Sequence, residues 1–411
     1  MKNNKLFVAI ILALIMGIIA GAINHYYFPS FQEEFSKNVK LLGTIFIRMV
    51  QMIIAPLVFS TLVVGIAKMG DLKMVGRVGS KAMAWFIIAS LISLLLGLVL
   101  VNTLEPGKKT NISLEQLDGA SDILEKTQNF SVEEFVKHLV PKSIFEAMAT
   151  NEILQIVIFS ILFGIALASL GRKGKLIISS LDTLSHVILK MVTYIMWVAP
   201  FGVFGSVAAA VSKHGFGIFS LYANYLIAFS VGIIVLWIIL LVVGYLFLGK
   251  RLFVLLQRIK NPLLIAFSTT SSEAVFPKLV EELERFGCQN KIVSFTLPLG
   301  YSFNLDGSMM YMTFASIFIA QVYGIDMSLG EQLTMLLVLM LTSKGVAGVP
   351  RASLIVIVAT CAMFGIPPEG IALILPIDHF CDMARSMTNV LGNSLATAVI
   401  DKWETKPINN G

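Results

Sequence analysis

The chain has 411 residues, of which 56% are hydrophobic and 14% are charged, whereas an ordinary soluble domain has roughly 45–50% apolar and about 25% charged residues. A water-soluble globule cannot bury that much apolar surface, so the composition excludes soluble domains and predicts an integral membrane protein. The apolar runs are continuous rather than alternating, which excludes a membrane β-barrel and predicts helices.

The charge balance and the cysteines exclude further classes. Lys and Arg outnumber Asp and Glu by 31 to 25, an excess that basic cytoplasmic loops explain in membrane proteins, so no nucleic-acid partner is expected. The cysteines Cys288, Cys361 and Cys381 form no CxxC pair. No disulfide, no cofactor and no firm metal site is therefore predicted.

Six apolar runs are long enough to cross a bilayer, and they cover residues 5–26, 41–68, 80–104, 152–171, 184–211 and 218–248. Basic residues follow the second, fourth and sixth runs, which predicts that these loops are cytoplasmic. The acidic stretch 105–150 then lies outside. Both termini are cytoplasmic if the remaining chain crosses an even number of times.

After residue 250 the apolar segments become short and interrupted. Polar residues at 268–273 divide the first segment, and polar residues at 342–351 divide the second. Because neither pair of arms can cross the bilayer, each pair predicts a re-entrant hairpin, with the two hairpins entering from opposite sides. Such paired, interrupted segments are typical of the binding site of a secondary transporter.

Two full spans remain, at 290–323 and 368–402. The sequence from Asn304 to Gly307 interrupts the first and predicts an unwound helix. Its backbone carbonyls and Asp306 would suit a small cation, although a kink capped by its own side chains is the alternative. Similarly, the segment 268–273 is either a hairpin tip that binds an anionic group through its N–H groups or an ordinary loop.

The last span carries a polar stripe. Asp378, Asp382, Arg385, Asn389 and Asn393 are spaced by 4, 3, 4 and 4 residues, so they share one helix face, which must point into the protein. A guanidinium suits bidentate binding of a carboxylate and a nearby carboxylate suits an ammonium group, which together fit an acidic amino acid. The alternative is that Asp382 and Arg385 only pair with each other.

Four motifs carry a resemblance to a known family: Ser271-Ser-Glu followed by Pro277, Asn304-Leu-Asp-Gly-Ser308, Gly345-Val-Ala-Gly-Val-Pro350 and Asp382-Met-Ala-Arg-Ser-Met-Thr-Asn389. In this order they resemble the signature motifs of the dicarboxylate/amino acid:cation symporters, particularly the bacterial proton/sodium-glutamate (aspartate) symporters. The resemblance extends over nearly the whole chain.

The resemblance implies an all-α integral membrane protein with eight transmembrane helices and two oppositely oriented re-entrant hairpins. This is the elevator-type glutamate transporter fold, a homotrimer in the bacterial plasma membrane. The implied divisions are scaffold helices at 1–76, a transport-domain helix at 77–104, an extracellular loop at 105–151, scaffold helices at 152–215, a transport domain at 216–402 with hairpins at about 253–288 and 331–366, and a cytoplasmic tail at 403–411.

The resemblance also implies the substrate site. Arg385 would hold the side-chain carboxylate of the substrate and Asp382 its amino group. Asn389 would hold the α-carboxylate together with the hairpin residues Ser271 and Ser272. The remaining implied binding residues are Ser308, Ser386 and, at the tip of the second hairpin as an external gate, Gly348 and Val349.

The coupling ion is inferred from departures within this resemblance. Sodium-coupled members carry an aspartate where Asn393 stands and a threonine where Ala89 stands, and Lys344 places an ammonium beside a sodium position. These departures favour protons, with Glu273 as the first candidate carrier because burial favours the protonated form of a carboxyl group. The other residues implied in coupling are Gly300, Asn304 and Asp306, with Asp382 as a further candidate carrier.

The predicted function is import of L-glutamate and L-aspartate coupled to protons. Sodium-coupled symport and C4-dicarboxylate symport remain alternatives. Alternatives from other classes are a membrane protease using Asp306 and Asp382, and an ion channel. The chain lacks the Gly-x-Gly-Asp pattern of the protease class, so no enzyme activity is predicted.

Overall fold

The computed structural model describes residues 2–69, 72–108, 140–216, 222–343 and 352–404. Within these ranges the regular elements are helices, with no strand, as the composition predicts. The predictions for Lys344, Gly348 and Val349, for residues 109–139 of the long loop and for residues 405–411 of the tail lie outside the described residues.

The helices of the first part of the chain are α1 (Lys2–Tyr27), α2 (Gln32–Met69), α3 (Leu72–Leu104), α4 (Ile144–Ala149), α5 (Ile153–Ser169), α6 (Lys175–Ile195), α7 (Ala199–His214) and α8 (Ala223–Leu248). Those of the second part are α9 (Arg251–Thr269), α10 (Phe276–Phe286), α11 (Asn290–Phe303), α12 (Asp306–Val322), α13 (Leu329–Thr342), α14 (Ala352–Met363) and α15 (Leu375–Glu404).

Four stretches of the described chain are long and apolar enough to cross a membrane: Val8–Tyr27, Pro29–Ala67, Lys73–Leu104 and Ala223–Leu248. They correspond to the first, second, third and sixth predicted spans. The fourth predicted span, 152–171, is the shorter apolar helix Ile153–Ser169.

The predicted span at 184–211 is not one continuous helix, because the chain forms two helices there, α6 and α7. Pro200 has no N–H and cannot donate the bond to the Met196 carbonyl that a continuous helix requires. The chain turns instead, with the Val198 N–H donating to the Ile195 carbonyl at 2.9 Å. The apolar composition is continuous across this turn, so hydropathy alone does not reveal it.

The helices pack around two centres. In one, α2 packs against α5, α6 and α7, and α7 also packs against α1. In the other, α15 is surrounded by α3, α8, α9, α10, α11 and α12. Contacts between α11 and α2 join the two centres, so the polar face of α15 lies within the protein.

Two helix pairs occupy the predicted hairpin segments. The helices α9 and α10 pack against each other, as do α13 and α14. The first pair reverses at Thr270, whose left-handed backbone has a φ of +52°. The Tyr301 hydroxyl donates to the Ser272 carbonyl at 2.8 Å, which fixes this turn against α11.

The predicted unwinding between α11 and α12 is confirmed. Helix α11 ends at Phe303 and α12 begins at Asp306, while Asn304 has non-helical dihedral angles of φ −121° and ψ 69°. Backbone groups freed in an apolar setting need partners. The Ser90 hydroxyl of α3 supplies one by donating to the Phe303 carbonyl at 3.3 Å.

Candidate functional site

The polar stripe of α15 lies inside the protein, as its spacing predicts. Asp378 and Arg385 are each 3% exposed, Asn389 is 4% exposed and Asn393 is 1% exposed. The Asp382 side chain is more open, at 23%. Burying an isolated charge has a large unfavourable free energy, so the function of the stripe depends on the partners of each charged group.

Arg385 is the central charge of the site. Its Nε donates to Asp382 Oδ1 at 2.7 Å and its Nη2 lies 3.3 Å from Asp378 Oδ1. Its guanidinium carbon lies 4.3 Å from the ring centroid of Tyr311, a cation–π contact, and the Tyr311 hydroxyl donates to Asp378 Oδ1 at 2.9 Å. The Arg385 Nη1 is buried with no hydrogen-bond partner among the described residues. The guanidinium is therefore oriented while one edge stays available for an anion.

The amide of Asn389 connects α15 to the first turn of α12. Its Oδ1 accepts from the Gly307 N–H at 2.9 Å and the Ser308 N–H at 3.3 Å, and its Nδ2 donates to the Ser308 hydroxyl at 3.0 Å. A Cβ at Gly307 would lie 2.5 Å from the Arg385 carbonyl. The absence of a side chain there lets α12 approach α15 closely enough for these bonds.

A second polar cluster lies at the unwound segment. The Asn304 Nδ2 is 3.3 Å from Asp306 Oδ2 and 3.2 Å from Asn393 Oδ1. Asn304 and Asp306 are fully buried, and Asn304 Oδ1 has no partner in the described part of the chain. A Cβ at Gly300 would lie 2.3 Å from Asn393 Oδ1. Of the predicted coupling residues, Gly300, Asn304, Asp306 and Asn393 therefore meet here, whereas Asp382 lies beside Arg385.

A cavity of about 920 Å³ reaches the first cluster, which is within the range of about 300–1,000 Å³ typical of ligand sites. It brings together the predicted residues of the first hairpin, α12 and α15, which are Ser271, Ser272, Glu273, Ser308, Asp382, Arg385, Ser386 and Asn389. The Ser386 hydroxyl donates to Asp382 Oδ1 at 3.0 Å.

Tyr311 is a site residue that the sequence reasoning missed. It lies three residues after Ser308 on α12, so the spacing places both on one face, but an aromatic residue in an apolar span is usually part of the core. A second missed contact is the bond from Trp237 Nε1 to the Thr388 hydroxyl at 2.8 Å. Among the described residues, no three His, Cys, Asp or Glu side chains could hold a metal ion.

A helical membrane chain with a broken helix and buried charges around a cavity has the features of a transporter. The sequence model of the sodium:dicarboxylate symporter family matches residues 6–403. The chain therefore belongs to this family, and it is a multi-pass membrane transporter rather than an enzyme. The predicted resemblance is confirmed, and the membrane-protease alternative is wrong.

Two relatives of this chain are named for different transported substrates. The chain is 43% identical over 409 residues to a proton/sodium-glutamate symport protein of Bacillus caldotenax, covering 98% of this chain and 96% of that protein. It is 41% identical over 405 residues to a C4-dicarboxylate transport protein of Bacillus subtilis (strain 168), covering 98% of this chain and 94% of that protein.

Proposed function

We propose that this chain is a secondary active symporter that imports L-glutamate and L-aspartate together with protons by an elevator mechanism. The observation that carries the proposal is the pairing of Arg385 with Asp382 at the base of the cavity. One edge of the guanidinium is unpartnered in the described chain, while Asp382 supplies a negative charge 2.7 Å away. An acidic amino acid complements both signs.

In this proposal Arg385 binds the side-chain carboxylate and Asp382 binds the ammonium group. Asn389, with Ser271 and Ser272 across the cavity, binds the α-carboxylate. Ser308 and Ser386 orient these groups, because each hydrogen-bonds to one of them. Gly348 and Val349 would close the site as a gate.

Protons are proposed as the coupling ion because moving net negative charge inward costs about 2.3 kcal/mol per charge per 100 mV. Glu273 lines the same cavity as Arg385 and sits in the turn of the first hairpin. A half-buried carboxyl group there can take up a proton from the cavity and release it on the other side. Lys344 would supply a permanent charge near the gate.

Sodium coupling is the second candidate, and the cluster at the unwound segment favours it. The Asn304 Oδ1 is a buried oxygen without a partner among the described residues, and it lies beside Asp306. Oxygen ligands of this kind suit small hard cations. Against sodium, Asn393 contributes a neutral amide where a carboxylate would add negative charge.

The proposed mechanism uses the packing around two centres. Helices α1, α2 and α5–α7 would form the scaffold of a homotrimer, with α6 and α7 together making one crossing. Helices α3 and α8–α15 would move across the membrane carrying substrate, with α9–α10 and α13–α14 as the re-entrant hairpins. In this arrangement both termini are cytoplasmic and the protein lies in the bacterial plasma membrane.

Uptake by purified protein in liposomes tests the substrate class. With an inward proton gradient, we expect accumulation of labelled L-glutamate and L-aspartate and little uptake of succinate. Without a substrate ammonium group, Asp382 would face the negative substrate unpaired. Asp382→Ser is the matched variant and should lose amino acid uptake. Its ratio of succinate uptake to amino acid uptake should therefore rise above that of the wild type. Equal uptake of succinate and glutamate by the wild type would instead support the C4-dicarboxylate alternative.

A further inference from the structure

The wall of the cavity that α2 and α7 form carries three lysines that the proposed binding site does not use. Lys37 and Lys40 lie in the second and third turns of α2, and Lys213 lies near the end of α7. All three line the same cavity as Arg385 and are exposed. The single acidic residue that lines this wall among the described residues is Glu33.

Contacts between α2 and α7 hold these lysines together. The Gln32 Nε2 donates to the Lys213 carbonyl at 3.2 Å, and the Ser36 hydroxyl donates to the Ala209 carbonyl at 3.2 Å. These bonds fix the beginning of α2 beside the last turns of α7. The positive charges of two separate helices are thereby directed to one opening.

The lysines of this wall differ from several others in the protein. Lys81 lies 2.5 Å from Glu404, Lys108 lies 2.8 Å from Glu105 and Lys278 lies 3.0 Å from Glu282. Lys37, Lys40 and Lys213 form no ion pair with any residue that the structure describes. Glu33 is the one described carboxylate of this wall, so the wall keeps an excess of positive charge.

At the other end of the cavity, one edge of the Arg385 guanidinium is available for an anion. Arg385 is 3% exposed and its Nη1 has no hydrogen-bond partner in the described ranges. The base also carries the carboxylates of Asp378, Asp382 and Glu273, so the excess of positive charge among the described lining residues lies at the opening. A cleft opening with a net charge of one sign concentrates ligands of the opposite sign and speeds their association.

We infer that Lys37, Lys40 and Lys213 form a cationic vestibule that captures the anionic substrate before it reaches Arg385. This inference rests on the proposed function in one respect, the anionic character of the substrate. The vestibule acts through long-range attraction, so it determines the rate of capture rather than the choice between one acidic substrate and another. Its effect must weaken as salt shortens the Debye length from about 30 Å at 0.01 M to about 10 Å at 0.1 M.

A thiol placed in the vestibule measures its potential without any transport. Thr44 lines the cavity one turn after Lys40, and the three native cysteines are buried. In Thr44→Cys we expect an anionic methanethiosulfonate reagent to react faster, relative to a cationic one, than it does with a small free thiol. Replacing Lys37, Lys40 and Lys213 by Gln should lower this ratio at least about threefold at low salt.

The matched control replaces Lys175 and Lys190, which are exposed lysines of α6 outside the cavity lining, by Gln in the same Thr44→Cys protein. This variant removes positive charge from the molecule without removing it from the vestibule. Its ratio of reaction rates should equal that of the parent. A ratio that falls equally in the control and in the triple variant, or in neither, would overturn the inference.

Glutamate uptake gives the second measurement. At low ionic strength, the triple Lys→Gln variant should have a KM at least about threefold higher than wild type with an unchanged maximal rate, and the difference should shrink in added choline chloride. An unchanged KM at low salt would overturn the inference. If the wild type imports no acidic amino acid, the proposed function fails, and the thiol ratio still decides whether the vestibule exists.

Discussion

Arg385 is held by Asp382, Asp378 and the ring of Tyr311. Because Asp378 and Asp382 compensate its charge, the guanidinium is tolerated in the protein interior. The Tyr311 hydroxyl bonds to the same Asp378 oxygen, so the guanidinium, the carboxylate and the ring form one unit. In the proposed function, the substrate carboxylate would meet an arginine that is already oriented.

Replacing Arg385 by Cys should abolish binding of acidic amino acids and admit neutral ones, since Asp382 still holds the amino group. Loss of a buried charged partner costs about 2–5 kcal/mol, which is a decrease in affinity of about 30-fold or more. Uptake of glutamate and of serine measures both effects. Arg385→Lys is the matched variant and should not restore full affinity, because an ammonium lacks the planar fork. Wild-type aspartate affinity in Arg385→Cys would contradict the assigned role.

Replacing Glu273 by Gln should separate glutamate movement from proton movement. The amide keeps the shape and hydrogen-bonding capacity of the carboxyl group but cannot carry a proton across the membrane. A pH-sensitive dye inside liposomes should report acidification with the wild type during glutamate uptake and none with the variant. Acidification that persists in Glu273→Gln would assign the proton to another carboxyl group.

The sequence predicted the side chains of the site better than their contacts. Spacing alone placed Asp382, Arg385 and Asn389 on one buried face, because helical periodicity depends on local geometry. The contact between Tyr311 and Arg385 joins α12 to α15, and no local pattern reports such a contact. Asp378 and Arg385 lie two turns apart on one helix, so their spacing was sufficient to predict this ion pair.

The approach of α15 to the unwound segment depends on Gly392. A Cβ at this position would lie 1.8 Å from Asp306 Oδ2. Because the Asp306 side chain is short, a change of its rotamer would not easily relieve this clash. We therefore expect Gly392→Ala to lower the free energy of unfolding by about 1–3 kcal/mol. Thermal unfolding in detergent measures this loss. Gly330→Ala is the control, because nothing lies within 4 Å of its Cβ, and equal stability of the two variants would contradict the close approach.

The end of α15 is joined to the beginning of α3 by Glu404. Its carboxyl lies 2.7 Å from Arg77 and 2.5 Å from Lys81. The hydrogen bond from Arg77 holds the pKa of the Glu404 carboxyl below its ordinary value of 4.5, with Lys81 adding to the effect. A lowered pKa in the folded state means that the ionised form stabilises the fold.

This ion pair should give a pH-dependent stability. Its contribution is fully present above pH about 4.5 and is lost as the pH falls through the folded-state pKa. Because Arg77 is 56% exposed, solvent screening limits the contribution to at most about 1 kcal/mol. Thermal unfolding should therefore show Glu404→Gln less stable than wild type at pH 7 and equal to it at strongly acidic pH. Glu34→Gln, at an exposed position of α2, is the control, and a deficit independent of pH would contradict the ion pair.

Two helix breaks show what the sequence reveals about elements. The break at Asn304 was predictable because Asn, Asp and Gly are poor helix formers and occur together there. The break before α7 was not predictable, because Pro200 lies in a long apolar run and proline is well tolerated in the first turn of a helix. Composition predicts a helix break where several poor helix formers occur together, and it does not predict a break that depends on a single residue.

At the scale of the whole molecule, the cavity lies between the helices around α2 and those around α15. Its two walls come from residues more than 300 positions apart, such as Lys37 and Arg385. The sequence predicted the wall that carries Arg385, since its motifs lie in one part of the chain. It did not predict the lysine wall, because that wall arises only when α2 and α7 pack against the same opening.

In the proposed function, glutamate and protons enter together without sodium. The most direct test adds L-glutamate to sodium-free proteoliposomes that contain a pH-sensitive dye and start with equal pH on both sides. We expect glutamate uptake accompanied by acidification of the lumen, both increased by a membrane potential that is negative inside. Glutamate uptake that is absent until sodium is added, or that proceeds with no change in lumenal pH, would contradict the proposed function.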